Sequence, residues 1–261
     1  MTRLPFFQVD AFADRPFSGN PAAVMPLETW LDDATLQAIA AENNLSETAF
    51  AVALEDSDAD YELRWFTPSV EVALCGHATL AAGHVLLGER EAVRFATRDA
   101  GTLMVAREGD GYALSLPAWA PASRPLPEIA AATGGAPAET LWHESGYAVL
   151  VYPDEGAVRA LRPDFKTLAA LGNMLVIATA PGAETDIVSR AFAPGAGIDE
   201  DPVTGSAHAV IAPYWAARLG RDRFTAYQAS ARGGRLDCRI EGDRVVLGGR
   251  CVTLIEGVMT L

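Results

Sequence analysis

Apolar residues along this chain follow two periods. Segments such as "YELRWFT" (residues 61–67), the run 92–116 and "RLDCRIEGDRVVLGG" (residues 235–249) mix β-branched and aromatic residues with polar ones, and turn signals such as "EGDG" separate them. That pattern predicts strands joined by tight turns. Two short amphipathic segments, residues 32–42 and 163–172, each carry an Asp near the start and predict helices. Each runs on to an apolar stretch, "TAFAVAL" and "MLVIATA". Two further segments, "HATLAAGHVLLG" and "SAHAVIAPYWAARLG", are apolar nearly all round, as befits a helix buried on every side. Strands wrapped around one buried helix, twice over, is the α+β architecture this predicts.

The repetition extends to individual residues. Arg64-Trp65-Phe66-Thr67-Pro68 is echoed by Arg190-Ala191-Phe192-Ala193-Pro194, Glu71 by Glu200, Gly76 by Gly205, and Leu103 by Leu236. Several matches in one order indicate an internal duplication with a period longer than 100 residues, hence a pair of domains and not a solenoid. The segment "PAWAPASRPLP" between them is too rich in proline for helix or central strand. We therefore assign residues 1–117 to an N-terminal domain, 128–261 to a C-terminal one, and the intervening stretch to a linker.

Composition narrows the possible roles. The balance of 34 acidic against 20 basic residues gives a net charge of −14, which argues against nucleic acid and anionic membranes as partners. No uninterrupted apolar stretch is long enough to span a bilayer, and the N-terminus lacks a signal-peptide core. Three cysteines, Cys75, Cys238 and Cys251, do not make a disulfide framework. No Cys or His pair has metal-ligand spacing, so no metal is expected. The expectation is a cytoplasmic protein.

Gly76 and Gly205 each stand just ahead of a buried helix, with His77 and Ser206 at or near the caps. Helix N-termini carry unpaired N–H groups and partial positive charge, and glycine lets a ligand come close. Two such ends would suit a small carboxylate. Glu47, between a predicted helix and an apolar run, and Asp201, four residues before Gly205, are the candidate acids or bases. A carboxylate at an apolar edge is usable in proton transfer near neutral pH.

Four blocks, "GNPAAV", "NLSETAF", "RWFTPSVEVALCGHATLAA" and "GIDEDPVTGSAHAVIAPYWAARLG", resemble the signature blocks of the PhzF-like phenazine-biosynthesis proteins, within the diaminopimelate epimerase-like superfamily. The resemblance implies two similar half-barrels, each around a central helix, with the active site between them, a homodimer, and no cofactor. It implies Glu47 as catalytic acid/base, His77 and Asp201 as assisting residues, and Ser46, Gly76, Ala78, Gly205 and Ser206 as positions that hold substrate. The superfamily's racemases place a cysteine before each glycine. Here the second position is Thr204, whose hydroxyl is too weakly acidic for two-thiol racemisation. The expected activity is a cofactor-independent isomerase acting on a small cyclic or amino-acid-like carboxylate. The alternatives are a dehydratase or lyase on the same fold, and a non-catalytic binding protein.

Overall fold

Alternating burial along the predicted strands is satisfied by sheets closing over the apolar helices. A computed structural model describes residues 1–261, which fall into two units: Met1–Ser115 with Gly248–Leu261, and Leu116–Leu247.

In the first unit β1 (Arg3–Ala11) pairs antiparallel with β2 (Asn20–Leu27), and β2 runs parallel to β3 (Glu47–Ala53) after the crossover through α1 (Asp33–Asn43). β4 (Tyr61–Phe66) is antiparallel to β3 and to the short β5 (Glu71–Val72). After α2 (Gly76–Leu86), β6 (Ala92–Ala96) returns parallel to β4, and β7 (Thr102–Glu108) and β8 (Gly111–Pro117) follow antiparallel. Residues 76–83 of α2 are buried without a break. Gly83 is needed there, because a Cβ would lie 2.4 Å from the Val105 side chain on β7.

The second unit repeats the scheme. It comprises β9 (Ala122–Ser123), α3 (Pro127–Thr133), β10 (Glu139–His143), β11 (Tyr147–Val151), α4 (Glu155–Ala160), α5 (Phe165–Leu171), β12 (Leu175–Pro181), β13 (Ile187–Ala193), β14 (Ile198–Asp201), α6 (Gly205–Leu219), β15 (Arg223–Gln228), β16 (Gly234–Glu241) and β17 (Arg244–Gly249). β10 is antiparallel to β11, β11 parallel to β12, β12 antiparallel to β13, β13 antiparallel to β14 and parallel to β15, and β15 antiparallel to β16. Orientations thus match pair for pair. Helices α3 and α4 have no counterpart in the sequence reading.

The copies share fasteners as well. Asp32 caps α1 by accepting from the Thr35 N–H at 2.9 Å, and Asp164 caps α5 from Thr167 at 3.0 Å. The Arg64 guanidinium forms a two-pronged bridge to Glu71 at 2.7 and 2.8 Å, and Arg190 forms the same bridge to Glu200 at 2.7 and 2.9 Å. Each guanidinium also lies 5.0 Å over a phenylalanine ring, Phe66 or Phe192. The repeated Arg-x-Phe and Glu are therefore explained by packing.

Two expectations need correction. The C-terminal domain does not keep residues 248–261. The last strand, β18 (Cys251–Thr260), pairs along its length with β1 from Ala11↔Cys251 to Arg3↔Thr260, and so belongs to the first unit. Residues 117–127 are not a free linker either. Trp142↔Ala122 and Leu141↔Ser123 pair β10 with β9, and the Trp119 N–H donates to the Ala209 carbonyl at 3.1 Å. That carbonyl is available because its helical donor would be Pro213, which has no N–H.

Candidate active site

Glu47 opens β3 just after α1 ends at Asn44, a left-handed residue (φ 48°) that turns the chain into the strand. His77 is in the first turn of α2. Sequence separates them by a helix's length or more, and the fold brings Glu47 Oε2 to 3.0 Å from His77 Nε2. The separation is that of an ion pair, yet neither atom reaches a protein hydrogen-bond partner in good geometry, and both are buried. Buried polar atoms without partners are uncommon and mark sites that accept something else.

His77 is held from its other side. Ser46 Oγ–H donates to Asn20 Oδ1 at 3.0 Å, and the Asn20 amide nitrogen lies 3.1 Å from His77 Nδ1. In this orientation Nδ1 accepts and the ring proton sits on Nε2, facing Glu47. If the amide turns over, Ser46 accepts and Asn20 Oδ1 takes a proton from Nδ1, so the same three groups serve the imidazolium. Burial opposes charge on His77, but the Cys75 sulfur and the Glu47 carboxylate outweigh it and lift the pKa well above 6.5. The Cys75 thiol is itself pushed up to about 11 by burial and by Glu47, so it is uncharged at neutral pH and Glu47 is the partner that stabilises the cation. Cys75 Sγ lies 3.5 Å from His77 Nδ1. Trp65 stands opposite Ala49, two residues beyond Glu47, and so faces the same side of the sheet. Its buried indole Nε1 also lacks a partner.

The second unit assembles its own constellation. Asp201 ends β14, and Thr204 is the residue before α6. The Thr204 hydroxyl donates to Asp201 Oδ2. Gln228, fully buried at the end of β15, accepts from the Thr204 N–H at 2.9 Å and donates to the Asp201 carbonyl at 2.8 Å and to Thr204 Oγ1 at 3.1 Å. The loop 201–204 is thus clamped. Ser206 meets Tyr147, whose hydroxyl has a pKa raised by burial, and Tyr147 lies in a ring cluster with Trp119 and His143.

The predicted residues therefore form two groups. Glu47, His77, Ser46, Gly76 and Ala78 lie in the first unit, and Asp201, Gly205 and Ser206 in the second. The caps fall two residues before His77 and Ser206. Gly76 and Gly205 are the first helical residues, and Cys75 and Thr204 are the caps, with no side-chain hydrogen bond to either helix. Thr204 spends its hydroxyl on Asp201, and a thiol is a poor acceptor. Position in the sequence alone gives no role to Asn20, Trp65, Gln228 or Tyr147, nor to Thr204 as a holder of Asp201. Asn20 lies in a quoted block, but only its contact with His77 gives it a role. Spacing along the chain also hid the proximity of Glu47, Cys75 and His77, whose donor atoms all lie within 4.8 Å of one another.

Comparison with known proteins gives one answer. The family model described as "Phenazine biosynthesis-like protein" matches residues 9–257. An uncharacterized isomerase of Pseudomonas aeruginosa is 52% identical over 263 residues, covering 99% of each chain. The crystal structure of a PhzF-family phenazine biosynthesis protein from Enterococcus faecalis superposes with a TM-score of 0.93 at 44% identity over the whole of both chains. A hydroxyproline epimerase from Agrobacterium vitis shares the fold alone, with a TM-score of 0.64 at 12% identity, 98% of this chain and 92% of that one being covered. The matched span, the relatives and the repeated half-barrels agree that this chain belongs to the phenazine biosynthesis-like family, isomerases with an epimerase-like fold.

Proposed function

We propose that the protein is a cofactor-independent isomerase that moves a proton between carbons of a small cyclic or amino-acid-like carboxylate, with Glu47 as acid and base. The observation that carries this is the Glu47–His77 pair, a buried carboxylate and imidazole at 3.0 Å whose facing atoms have no other protein partner. Glu47 takes a proton from one carbon, becomes the acid, and returns it to another carbon of the same substrate. His77, held by Asn20 and Ser46, offsets the carboxylate charge and fixes its direction. Backbone N–H groups at Gly76 and Ala78, in the first turn of α2, suit the substrate carboxylate and the charge that develops on deprotonation, and Gly205 and Ser206 offer the same kind of donors in the second unit. Asp201 assists, with its carboxylate set by Thr204 and Gln228. Thr204 in place of a second thiol favours a single-residue shuttle over a two-thiol racemase.

The test is proton exchange. Small carboxylates incubated with enzyme in heavy water should gain deuterium at a carbon that Glu47 addresses, and Glu47→Gln should abolish the gain. Exchange that survives in Glu47→Gln but is lost in Cys75→Ala would assign the chemistry to the thiol.

No helix is long and apolar enough to cross a membrane, in keeping with a proposed cytoplasmic location. We also propose a homodimer, for which sedimentation should report a mass about twice the 27.6 kDa of one chain.

A further inference from the structure

Exposed apolar side chains of the first unit gather at the end of one ribbon. Residues 3–6 of β1 pair only with β18, since β2 reaches no farther than Phe7↔Val24. β18 in turn has β1 on one edge and no strand in register on the other. Its start is covered: Thr253 Oγ1 lies 2.8 Å from His84 Nε2, and His84 Nδ1 lies 2.9 Å from the Tyr112 hydroxyl. Residues 255–258 then stand exposed on both faces. Ile255 is 49% exposed, Val258 50% and Leu261 47%, and Met1 ends the same ribbon beside the paired Thr2 and Leu261. An open strand edge presents unpaired N–H and C=O groups, and monomeric proteins blunt it with lysine or proline. The stretch 251–261 has neither, and its one charged side chain is Glu256. On a chain with a net charge of −14, two copies repel wherever acids meet, and this segment is where they meet fewest.

We infer that residues 254–260 of β18 pair antiparallel with the same residues of a second copy, so that the sheet continues across a two-fold axis. This surface rests on the homodimer proposed above and deepens it. An axis normal to the sheet keeps like-numbered residues on one face, so the residue on the axis faces itself. With Gly257 there, Glu256 falls beside Val258 of the second copy and Ile255 beside Met259. With Glu256 there, like charges would stand directly opposite, which is destabilising. The Gly257 register thus pairs the open backbone groups, covers Ile255 and keeps the two acids apart.

Sedimentation of the full chain reads the assembly and needs no substrate. The wild type should run at about twice 27.6 kDa. The double variant Ile255→Lys/Val258→Lys should run as a single chain, while Val70→Lys, at an exposed apolar position outside the ribbon, should stay paired. Gly257→Cys reads the register. A Cβ at Gly257 meets nothing within 4 Å, so the fold accepts it. Opposed Cα atoms of an antiparallel pair lie about 4.5–5.5 Å apart, within reach of a disulfide. In a Cys251→Ala background, where the remaining Cys75 and Cys238 are buried, oxidation should turn this variant into a covalent dimer on a non-reducing gel. Circular dichroism establishes that each variant is folded. A dimer that survives the double substitution, or the lack of a crosslink in Gly257→Cys, overturns this surface and leaves the homodimer standing. A wild type that sediments as one chain overturns both, and leaves the edge to an extended segment of another protein.

Discussion

At the scale of single residues, chemistry and architecture use the same amino acids in different ways. Glu71 and Glu200, the acids that make the two motifs look alike, are tied to Arg64 and Arg190. Glu47, which has no such bridge, faces His77. This difference predicts what substitution does. Glu47→Gln should lower turnover by about 10²–10⁴, the usual cost of losing a positioned base, with urea midpoint nearly unchanged because Gln is close to isosteric. Cys75→Ala should retain most turnover and cost mainly packing, since the thiol is uncharged at neutral pH. A steady-state assay on any substrate found by deuterium exchange compares the two, and equal losses would count against Glu47 as the proton carrier.

At the scale of elements, the start of α6 rests on two buried polar side chains, Gln228 and His208. Gln228 satisfies the Thr204 N–H and the Asp201 carbonyl. Gln228→Leu leaves the first of these without that partner inside the protein, and should cost about 2–3 kcal/mol in urea unfolding. It should also slow turnover, because Asp201 loses its clamp. His208 lies one turn into α6, with Nδ1–H donating to the Thr204 carbonyl at 2.8 Å and Nε2 near Ser189 Oγ at 3.3 Å. Burial drives its pKa from 6.5 down to about 4, against the pull of the backbone bond. The folded protein thus keeps His208 neutral while the unfolded chain takes up a proton below its pKa. Stability from this residue is complete above pH 6.5 and lost as pH falls toward 4. The lost stability amounts to at most about 3 kcal/mol. Urea unfolding at pH 7.5 and pH 5 should show the fall, and it should be shallower in His208→Gln.

At the scale of the whole molecule, the first unit depends on the last residues of the chain. β18 pairs with β1 across the full length of that strand, so one edge of residues 3–11 stays unpaired until residues 251–260 dock, while residues 7–11 also pair with β2 on the other edge. A chain cut after Arg250 should lose amide-exchange protection in β1, while β12 and β13, paired within the second unit, keep theirs. Protection of β1 that survives the cut would mean that β2 alone suffices to hold it.

The amino-acid sequence by itself determined the duplication, because each copy repeats residues whose packing is local: Asp caps on α1 and α5, Arg-x-Phe with its Glu, and glycine before a helix apolar all round. It also singled out Glu47 and His77 as candidates, through family blocks spread from Gly19 to Gly220. Which residues share a strand or a helix is a matter of periodicity, and periodicity is visible in one dimension. Only the tertiary structure decided which of those elements meet. β18 joins the first unit because its partner is the N-terminal strand, a pairing of distant segments that no local pattern encodes. Asn20 reaches His77 from 57 positions away, and Gln228 reaches Thr204 from 24. Buried side chains of this kind take their meaning from the partners that satisfy them, and those partners are chosen when the sheets close around α2 and α6.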